Sequence, residues 1–415
     1  MPVSGEREKT VVVHYAELAL KGQNRAKYVG ALIKNLKAAL SDLDPVNVWG
    51  VQGRILVDVP AQKLEIACSR IQKIFGVAWF AEASTTSTAY PAILSASLSK
   101  LEDNHKPATS FRLEARRSDK SLPFKSSELV IRLGSDISNQ LGMKVNLDHP
   151  DVNLRIDITS QAAIIYSEKR RGPGGLPIGV GGKVIHLMSG GIDSPVAAWL
   201  LMKRGCVLRY LHFYPFASAE GVVSSKIPRL VSKLREYGGA DSVLLAPFSQ
   251  YELATLSLGE RSDAVLFRYF TRLVATRLAE TLGCSAIGTG DSIGQVASQT
   301  SENLAAMDYG SRLPVFRPLL TYDKQEIIDR AKAIGTYEIA LEDYKDCCSL
   351  LSSHPRTRIS ARSIIESAEK AELHRVADKV ARMVTLLRLR PNGSAFITPL
   401  LSRLVNDTPD GSQNP

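Results

Sequence analysis

The chain has 415 residues, a formal net charge of +10, 44% hydrophobic and 23% charged residues, the make-up of a globular protein with room for two or three cores and not of a disordered chain. Its longest apolar runs are strand-length, short of the roughly 20 residues of a membrane helix, and residues 1–9 are too charged for a secretory signal, so the expectation is a cytoplasmic protein without a membrane partner. Five cysteines with no C-x-x-C pair exclude a disulfide framework or a zinc ribbon, and the positive charge points to a polyanionic partner.

In chain order, residues 10–15 read as a strand, 24–40 as an amphipathic helix, 46–50 and 54–59 as two strands around the turn at 51–53, 61–75 as a second helix and 78–82 as a strand. This β-α-β-β-α-β order predicts a ferredoxin-like α+β domain over residues 1–83. A second unit follows over 84–170, with helices at 90–101 and 126–141 and strands at 110–115, 154–159 and 162–167. Positive charge is dense there: Arg112, Arg116, Arg117, Lys120 and Lys125 are candidates for a face that neutralises nucleic-acid phosphates. Aromatic residues are few in this stretch, so backbone and shape recognition is expected rather than base stacking. Residues 171–182 are too glycine-rich for regular structure and read as a linker.

From 183 to about 400 strands alternate with helices: strand 184–188, helix 195–204, strand 207–213, helix 222–237, strand 242–246, helix 263–282, strand 286–290 and helix 327–334 behind the capping-box spacing of Asp323 and Glu326. Alternation of this kind predicts a parallel sheet with helices on both faces and ligands at the carboxyl ends of its strands. Residues 360–389 read as helical, and 401–415 as a frayed tail.

The central motif of this domain is Ser189-Gly190-Gly191-Ile192-Asp193-Ser194-Pro195, set between the apolar strand 184–188 and a helix that Pro195 suits as first residue and Asp193 or Ser194 can cap. A strand, a glycine turn and a helix start converge free N–H groups and the positive end of a helix dipole, which is a phosphate site. There is no Gly-Lys-Ser/Thr, so no lysine is placed for the β- and γ-phosphates as in a Walker loop. Asp193 is suited to hold Mg²⁺ or to orient its neighbours; no site built from protein ligands alone is expected for a metal.

Ser189, Gly190, Gly191, Asp193 and Ser194 match the S-G-G-x-D-S motif of the PP-loop ATP pyrophosphatases, and the chain resembles that superfamily there. The resemblance narrows with residues 185–188 and 202–205, 288–300 and 317–324, and with the N-terminal 17–25, which together resemble the tRNA 4-thiouridine synthetases of the ThiI type in that family's domain order. It implies a THUMP-type RNA-binding unit at 84–170, a PP-loop catalytic domain at 183–400, and the form of the family that lacks a rhodanese domain, which leaves the sulfur donor and any thiamine role open. It further implies that Leu187, Met188, Ser189, Gly190, Gly191, Asp193, Ser194, His212, Phe213, Arg268, Gly290 and Gln299 hold ATP. Lys21 and Arg25 of the N-terminal signature join the basic residues above as candidate tRNA contacts.

The thiols point the same way. Asp346-Cys347-Cys348-Ser349 lies in a polar stretch ahead of the basic residues 354–358, a setting that favours thiolate. In the family a cysteine here carries persulfide sulfur, and the spacing to Pro355 places Cys348 first and Cys347 second; Cys68, Cys206 and Cys284 sit in apolar surroundings and read as core. The absent C-x-x-C argues against iron–sulfur variants, with three scattered cysteines the remaining route to a cluster. The implied reaction is ATP-dependent adenylation of uridine 8 of tRNA and replacement of its O4 by sulfur, with tRNA, ATP, Mg²⁺ and a cysteine desulfurase or other sulfur donor as partners and a homodimer left open. Two other readings stand beside it: a PP-loop synthetase or amidotransferase acting on a small molecule, and a non-catalytic THUMP-type RNA binder.

Overall fold

The first strand, β1 (Glu8–His14), buries Val11, Val12 and Val13 completely, as a central strand with both faces covered must. The structure is a computed structural model that describes residues 8–400 apart from Ala16, Lys21, 104–108, 119–123, 259–263, Ala297 and 352–357; at Ala19, Cys348 and Ser349 it describes the main chain only. The chain divides into two compact units, Met1–Pro177 and Ile178–Pro415.

In the first unit, β1 is followed by α1 (Arg25–Ala39), β2 (Asn47–Val51), β3 (Arg54–Pro60), α2 (Leu64–Ile71) and β4 (Trp79–Thr86). The order β2-β3-β1-β4, all antiparallel, is the ferredoxin-like arrangement. Next come α3 (Tyr90–Glu102), β5 (Ser110–Arg117), α4 (Ser126–Leu141), β6 (Lys144–Val145), β7 (Val152–Ile158), β8 (Ala163–Tyr166) and β9 (Arg170–Arg171). The strand expected at 78–82 runs on to Thr86, and its extra residues pair with β8, Ala83 against Tyr166 through Thr86 against Ala163. One nine-stranded sheet therefore runs through both halves, eight strands in the order β2-β3-β1-β4-β8-β7-β5-β6 and the ninth, β9, paired to β4 off that path. Arg170, the last residue of the unit read over 84–170, and Arg171, expected to lack regular structure, pair with Phe80 and Trp79, and the Gly172 and Gly174 N–H groups donate to Ala78 and Val77 carbonyls at 3.1 and 2.8 Å. A Cβ at Gly172 would lie 2.3 Å from the Val77 carbonyl oxygen, so glycine here serves close approach and not looseness.

The second unit contains β10 (Lys183–Leu187), α5 (Asp193–Lys203), β11 (Val207–Tyr214), α6 (Glu220–Val223), α7 (Lys226–Arg235), β12 (Ser242–Pro247), α8 (Ser249–Thr255), α9 (Ala264–Leu282), β13 (Ala286–Gly288), α10 (Ser301–Asp308), β14 (Val315–Phe316), α11 (Lys324–Ile334), α12 (Tyr337–Leu341), α13 (Ala361–Lys370), α14 (Leu373–Met383), β15 (Thr385–Leu389) and β16 (Ala395–Pro399). The sheet order is β14-β13-β10-β11-β12-β15-β16, parallel from β14 to β12 and antiparallel at the last two strands. From β10 the chain winds outward through β11 and β12, then returns to β13 on the other side of β10. That reversal opens a crevice at the carboxyl end of β10. The capping box at α11 is present, with Glu326 N donating to Asp323 Oδ1 at 2.8 Å and Asp323 N to Glu326 Oε2 at 2.9 Å, and Gly335 closes the helix at φ 75°.

Several expectations change. The helix read over 222–237 is two helices, because the Ser225 hydroxyl accepts from Ile227 N and starts α7 afresh. The helix over 61–75 is shorter, α2 following a single 3-10 turn. Residues 385–389, read as helical, form β15: Leu386, Leu387 and Leu389 are buried, and the strand pairs with β12 from Leu245 opposite Thr385 to Ser242 opposite Arg388. Pairing with a strand about 140 residues earlier outweighs a weak local helical preference. Finally, α5 begins at Asp193 with Ile192 at the cap position; Pro195 is therefore its third residue, and neither Asp193 nor Ser194 is the cap.

Candidate active site

At the carboxyl ends of β10, β11 and β13 lies a cavity of about 260 Å³. Leu187 ends β10, and Met188, Ser189, Asp193 and Ser194 reach the cavity from the loop and helix that follow; His212 and Phe213 come from β11, Arg268 from α9, and Gly290 and Gln299 from the segment after β13. Cys347 lines the same cavity. Gly190 and Gly191 are part of the loop but do not line it.

The loop is held by its own serines. The Ser194 hydroxyl turns back instead of capping the helix: Ser189 N donates to it at 3.0 Å, it reaches the Ser189 carbonyl at 3.1 Å, and the two hydroxyls are 3.1 Å apart. His186 Nε2 is 2.8 Å from the Ser194 carbonyl. A carbonyl only accepts, so Nε2 carries the proton and Nδ1, buried without a partner, does not. Burial pushes this ring down to about 4, against the pull of the Ser194 bond, so it stays neutral and ties the start of α5 to β10. Gly290 is fixed by crowding: a Cβ there would lie 2.9 Å from Ser194 N and 3.0 Å from Ser194 Cα, main-chain atoms that cannot yield.

Asp193 accepts from Lys324 Nζ at 2.8 Å and from Gln295 Nε2 at 3.1 Å. Among the described residues no three or more acidic, histidine or cysteine side chains are grouped so as to hold a metal ion, so a divalent cation here fits only with oxygens from a phosphate to complete its shell, as Mg²⁺ commonly has.

The cavity wall carries a buried charge network. Asp291 accepts from Arg268 Nη1 through Oδ1 and from Arg317 Nε (3.2 Å) and Thr289 Oγ1 (2.8 Å) through Oδ2. Arg317 also makes a two-pronged pair with Asp308 at 2.7 and 2.8 Å. Burial works to raise the Asp291 carboxyl, yet the Arg268 and Arg317 guanidiniums and Thr289 hold it below the usual carboxylate range. With its amide turned to satisfy both ends, Gln299 donates to the Ser292 carbonyl at 2.7 Å and accepts from Arg268 at 3.3 Å. On the opposite side His212 Nδ1 meets the Met188 carbonyl at 2.8 Å and Nε2 meets the Tyr344 hydroxyl at 2.7 Å. Both ring nitrogens are thus engaged within the protein, and burial lowers the pKa of this ring too.

The cysteine segment differs from the polar loop expected. Cys347–Leu350 is a 3-10 turn, and Cys347 is 1% exposed with Sγ donating to the Phe213 carbonyl at 3.2 Å. The Cys348 side chain and residues 354–357 lie outside the described residues. Cys68, Cys206 and Cys284 are buried, and burial raises each thiol, Cys68 to about 11. Thr289, Asp291, Arg317 and Lys324 fall in the resembling stretches 288–300 and 317–324 but carried no site role from the sequence; Asp308 and Tyr344 were not singled out, and Tyr344 precedes Cys347 by three, the local signal for it.

In the first unit, Arg25 starts α1 with Nη2 donating to Tyr15 Oη at 3.1 Å; Arg112 donates to the Leu147 carbonyl at 3.1 Å and Arg117 to the Phe124 carbonyl, while Arg116 and Lys125 are exposed. Lys21 and Lys120 lie outside the described residues. The shared sheet brings His14 and Trp79 from the ferredoxin-like half beside Tyr166: His14 stacks on Trp79 at 4.7 Å, Trp79 lies 5.3 Å from Tyr166, and Lys169 Nζ sits 4.5 Å over Trp79.

A parallel sheet with its glycine turn at the switch point, a loop locked by its own serines and a cavity shared by turn, arginine and thiol define an α/β domain of the PP-loop architecture, joined to a ferredoxin-like and a THUMP-type half. Family models match accordingly: the ThiI ferredoxin-like domain over residues 10–81, the THUMP domain over 91–168 and "Thiamine biosynthesis protein (ThiI)" over 179–373. A "Probable tRNA sulfurtransferase" of Caldanaerobacter subterraneus subsp. tengcongensis is 36% identical over 371 residues, 89% of this chain and 97% of that protein. One of Brevibacillus brevis is 33% identical over 378 residues, covering 90% and 94%. A 4-thiouridine synthetase solved as an RNA complex with bound ATP superposes with a TM-score of 0.80 at 29% identity, over 92% of this chain and 99% of that one. The chain belongs to the ThiI family of tRNA sulfurtransferases. No described helix is long and apolar enough to cross a membrane.

Proposed function

We propose that this chain is an ATP-dependent tRNA sulfurtransferase acting in the cytoplasm, which adenylates uridine 8 of tRNA and replaces its O4 with sulfur to give 4-thiouridine. One observation carries the reading: Ser189, Asp193 and Ser194 of the loop, Arg268, Gln299 and Cys347 line one cavity. The similarity to a synthetase solved with RNA and ATP supports both ligands.

Uridine O4 attacks the α-phosphorus of ATP and pyrophosphate leaves, so that O4 departs later as AMP. Loop N–H groups and the start of α5 stabilise the negative charge that develops on the phosphates. Arg268, anchored by Asp291, and Gln299 hold the nucleotide, and Asp193 would ligate Mg²⁺ together with phosphate oxygens. The terminal sulfur of a persulfide on the Cys347–Cys348 turn attacks C4 and AMP leaves. A second thiol then attacks the resulting disulfide, which frees 4-thiouridine and leaves a protein disulfide for an external thiol to reduce. A cysteine desulfurase would load the persulfide. The exposed basic residues of the first unit, Arg116 and Lys125 among them, bind the RNA backbone.

Purified protein, unmodified tRNA, ATP, Mg²⁺, and a desulfurase with cysteine should yield 4-thiouridine on nucleoside analysis, and Cys348→Ala or Cys347→Ala should abolish it. Full product from both variants removes the persulfide assignment, whereas pyrophosphate release that ignores tRNA favours a small-molecule synthetase. Arg116→Ala should weaken tRNA binding by about 1 kcal/mol or less and lower the salt slope by about one.

A further inference from the structure

The segment that carries the cysteines is docked at two points on consecutive residues of β11. Tyr344 reaches the His212 ring at 2.7 Å, and Cys347, three residues on, donates its thiol proton to the Phe213 carbonyl at 3.2 Å. The direction of the first bond follows from the second nitrogen. His212 Nδ1 faces the Met188 carbonyl at 2.8 Å, so it must donate; Nε2 of the neutral ring accepts, and the tyrosine hydroxyl is the donor. A chain of hydrogen bonds thus runs from the residue before the nucleotide loop, through the ring, to the segment holding the thiols.

The tyrosine ring also packs on the loop itself. A Cβ at Gly190 would sit 2.8 Å from Tyr344 Cδ1 and 2.9 Å from Lys226 Cε. Lys226, which is buried, holds the approach to this segment by donating to the Ala340 and Glu342 carbonyls at 2.7 and 2.6 Å. Tyr344 therefore ties the segment leading into the cysteine turn to the loop facing the phosphates.

We infer that Tyr344 is a positioning residue that fixes the cysteine turn against the nucleotide loop, so that adenylation and sulfur delivery occur at one place. The inference rests on the function proposed above. Tyr344→Phe keeps the ring on Gly190 and removes only the hydroxyl, leaving His212 Nε2 without its donor, a buried loss worth about tenfold in the population of the docked turn. The first readout is coupling. In the variant, KM for ATP and tRNA-dependent pyrophosphate release stay within about twofold while 4-thiouridine formation falls about tenfold, so pyrophosphate released per thiouridine rises about tenfold. A parallel fall in both half-reactions, or no change in either, overturns the assignment.

The second readout needs no RNA. Alkylation of Cys347 by iodoacetamide, followed by peptide mass spectrometry, should be slow in the native protein and about tenfold faster in Tyr344→Phe and in His212→Asn, which removes the same bond from its other side. Unchanged alkylation rates with an unchanged thermal midpoint also overturn it. If native protein forms no 4-thiouridine at all, the function fails and the alkylation result alone decides the role of Tyr344.

Discussion

Two buried arginine–aspartate groups, one in each unit, use the same chemistry to different ends. In the first unit Arg54 Nε and Nη2 each lie 2.8 Å from Asp157 Oδ2, Tyr166 donates to the same oxygen at 3.2 Å, and Arg54 Nη1 reaches the Gln52 carbonyl and Ser118 hydroxyl at 3.2 and 3.3 Å. Its donors are spent within the sheet, and the group welds β3 to β7 across β1, β4 and β8. In the second unit Asp291 is shared by Arg268 and Arg317, and all three line the cavity. A buried ion pair marks a site only where part of its donor set faces open space; elsewhere it serves the fold.

The largest effect expected from breaking this contrast is Asp157→Ala, which strands a buried guanidinium and should cost about 3–5 kcal/mol. Urea unfolding followed by tryptophan fluorescence reads it, and ATP affinity measured by calorimetry should stay unchanged; a drop in affinity would erase the distinction between the two groups. The pH dependence comes next. His186 is held near 4 and His212 is also lowered, while an unfolded histidine titrates near 6.5. Stability is therefore full above the unfolded value and is lost as pH falls towards the folded one, by up to about 3 kcal/mol for His186 alone. His186→Gln, which can still donate to the Ser194 carbonyl, should flatten that acid slope in urea midpoints taken at pH 7 and pH 5. The smallest effect sharpens the contrast from the other side: Asp291→Asn keeps the shape but loosens Arg268, and ATP affinity should fall about tenfold with a smaller loss of stability than Asp157→Ala.

Where the fold was legible, local signals agreed with global ones. An apolar strand, two glycines and a run of helix formers announce β10, the loop and α5, and Asp323 with Glu326 announces α11. What stayed hidden depends on distant partners. Nothing near Thr85 or Thr86 says that they will meet Ile164 and Ala163, and residues 385–389 become a strand only because β12 offers an edge. The site divides in the same manner. Loop residues and Gly290 declare themselves through small size in a short motif. Tyr344 acts through the chain's return from afar, and Cys347, read as a residue of a polar loop, is buried in the apolar core of the second unit with its thiol on the Phe213 carbonyl.

The joined sheet of the first unit has a practical consequence for dissection. A boundary at residue 83 or 86 looks natural from the order of helices and strands, yet cutting there would unzip the β4–β8 seam, bare an edge on each fragment and take Arg54 away from Asp157, which stays with Tyr166 on the other fragment. Exposed edges of this kind recruit other chains. Chimeras that swap only one half should therefore aggregate, and the smallest transplantable piece is the whole of residues 1–177.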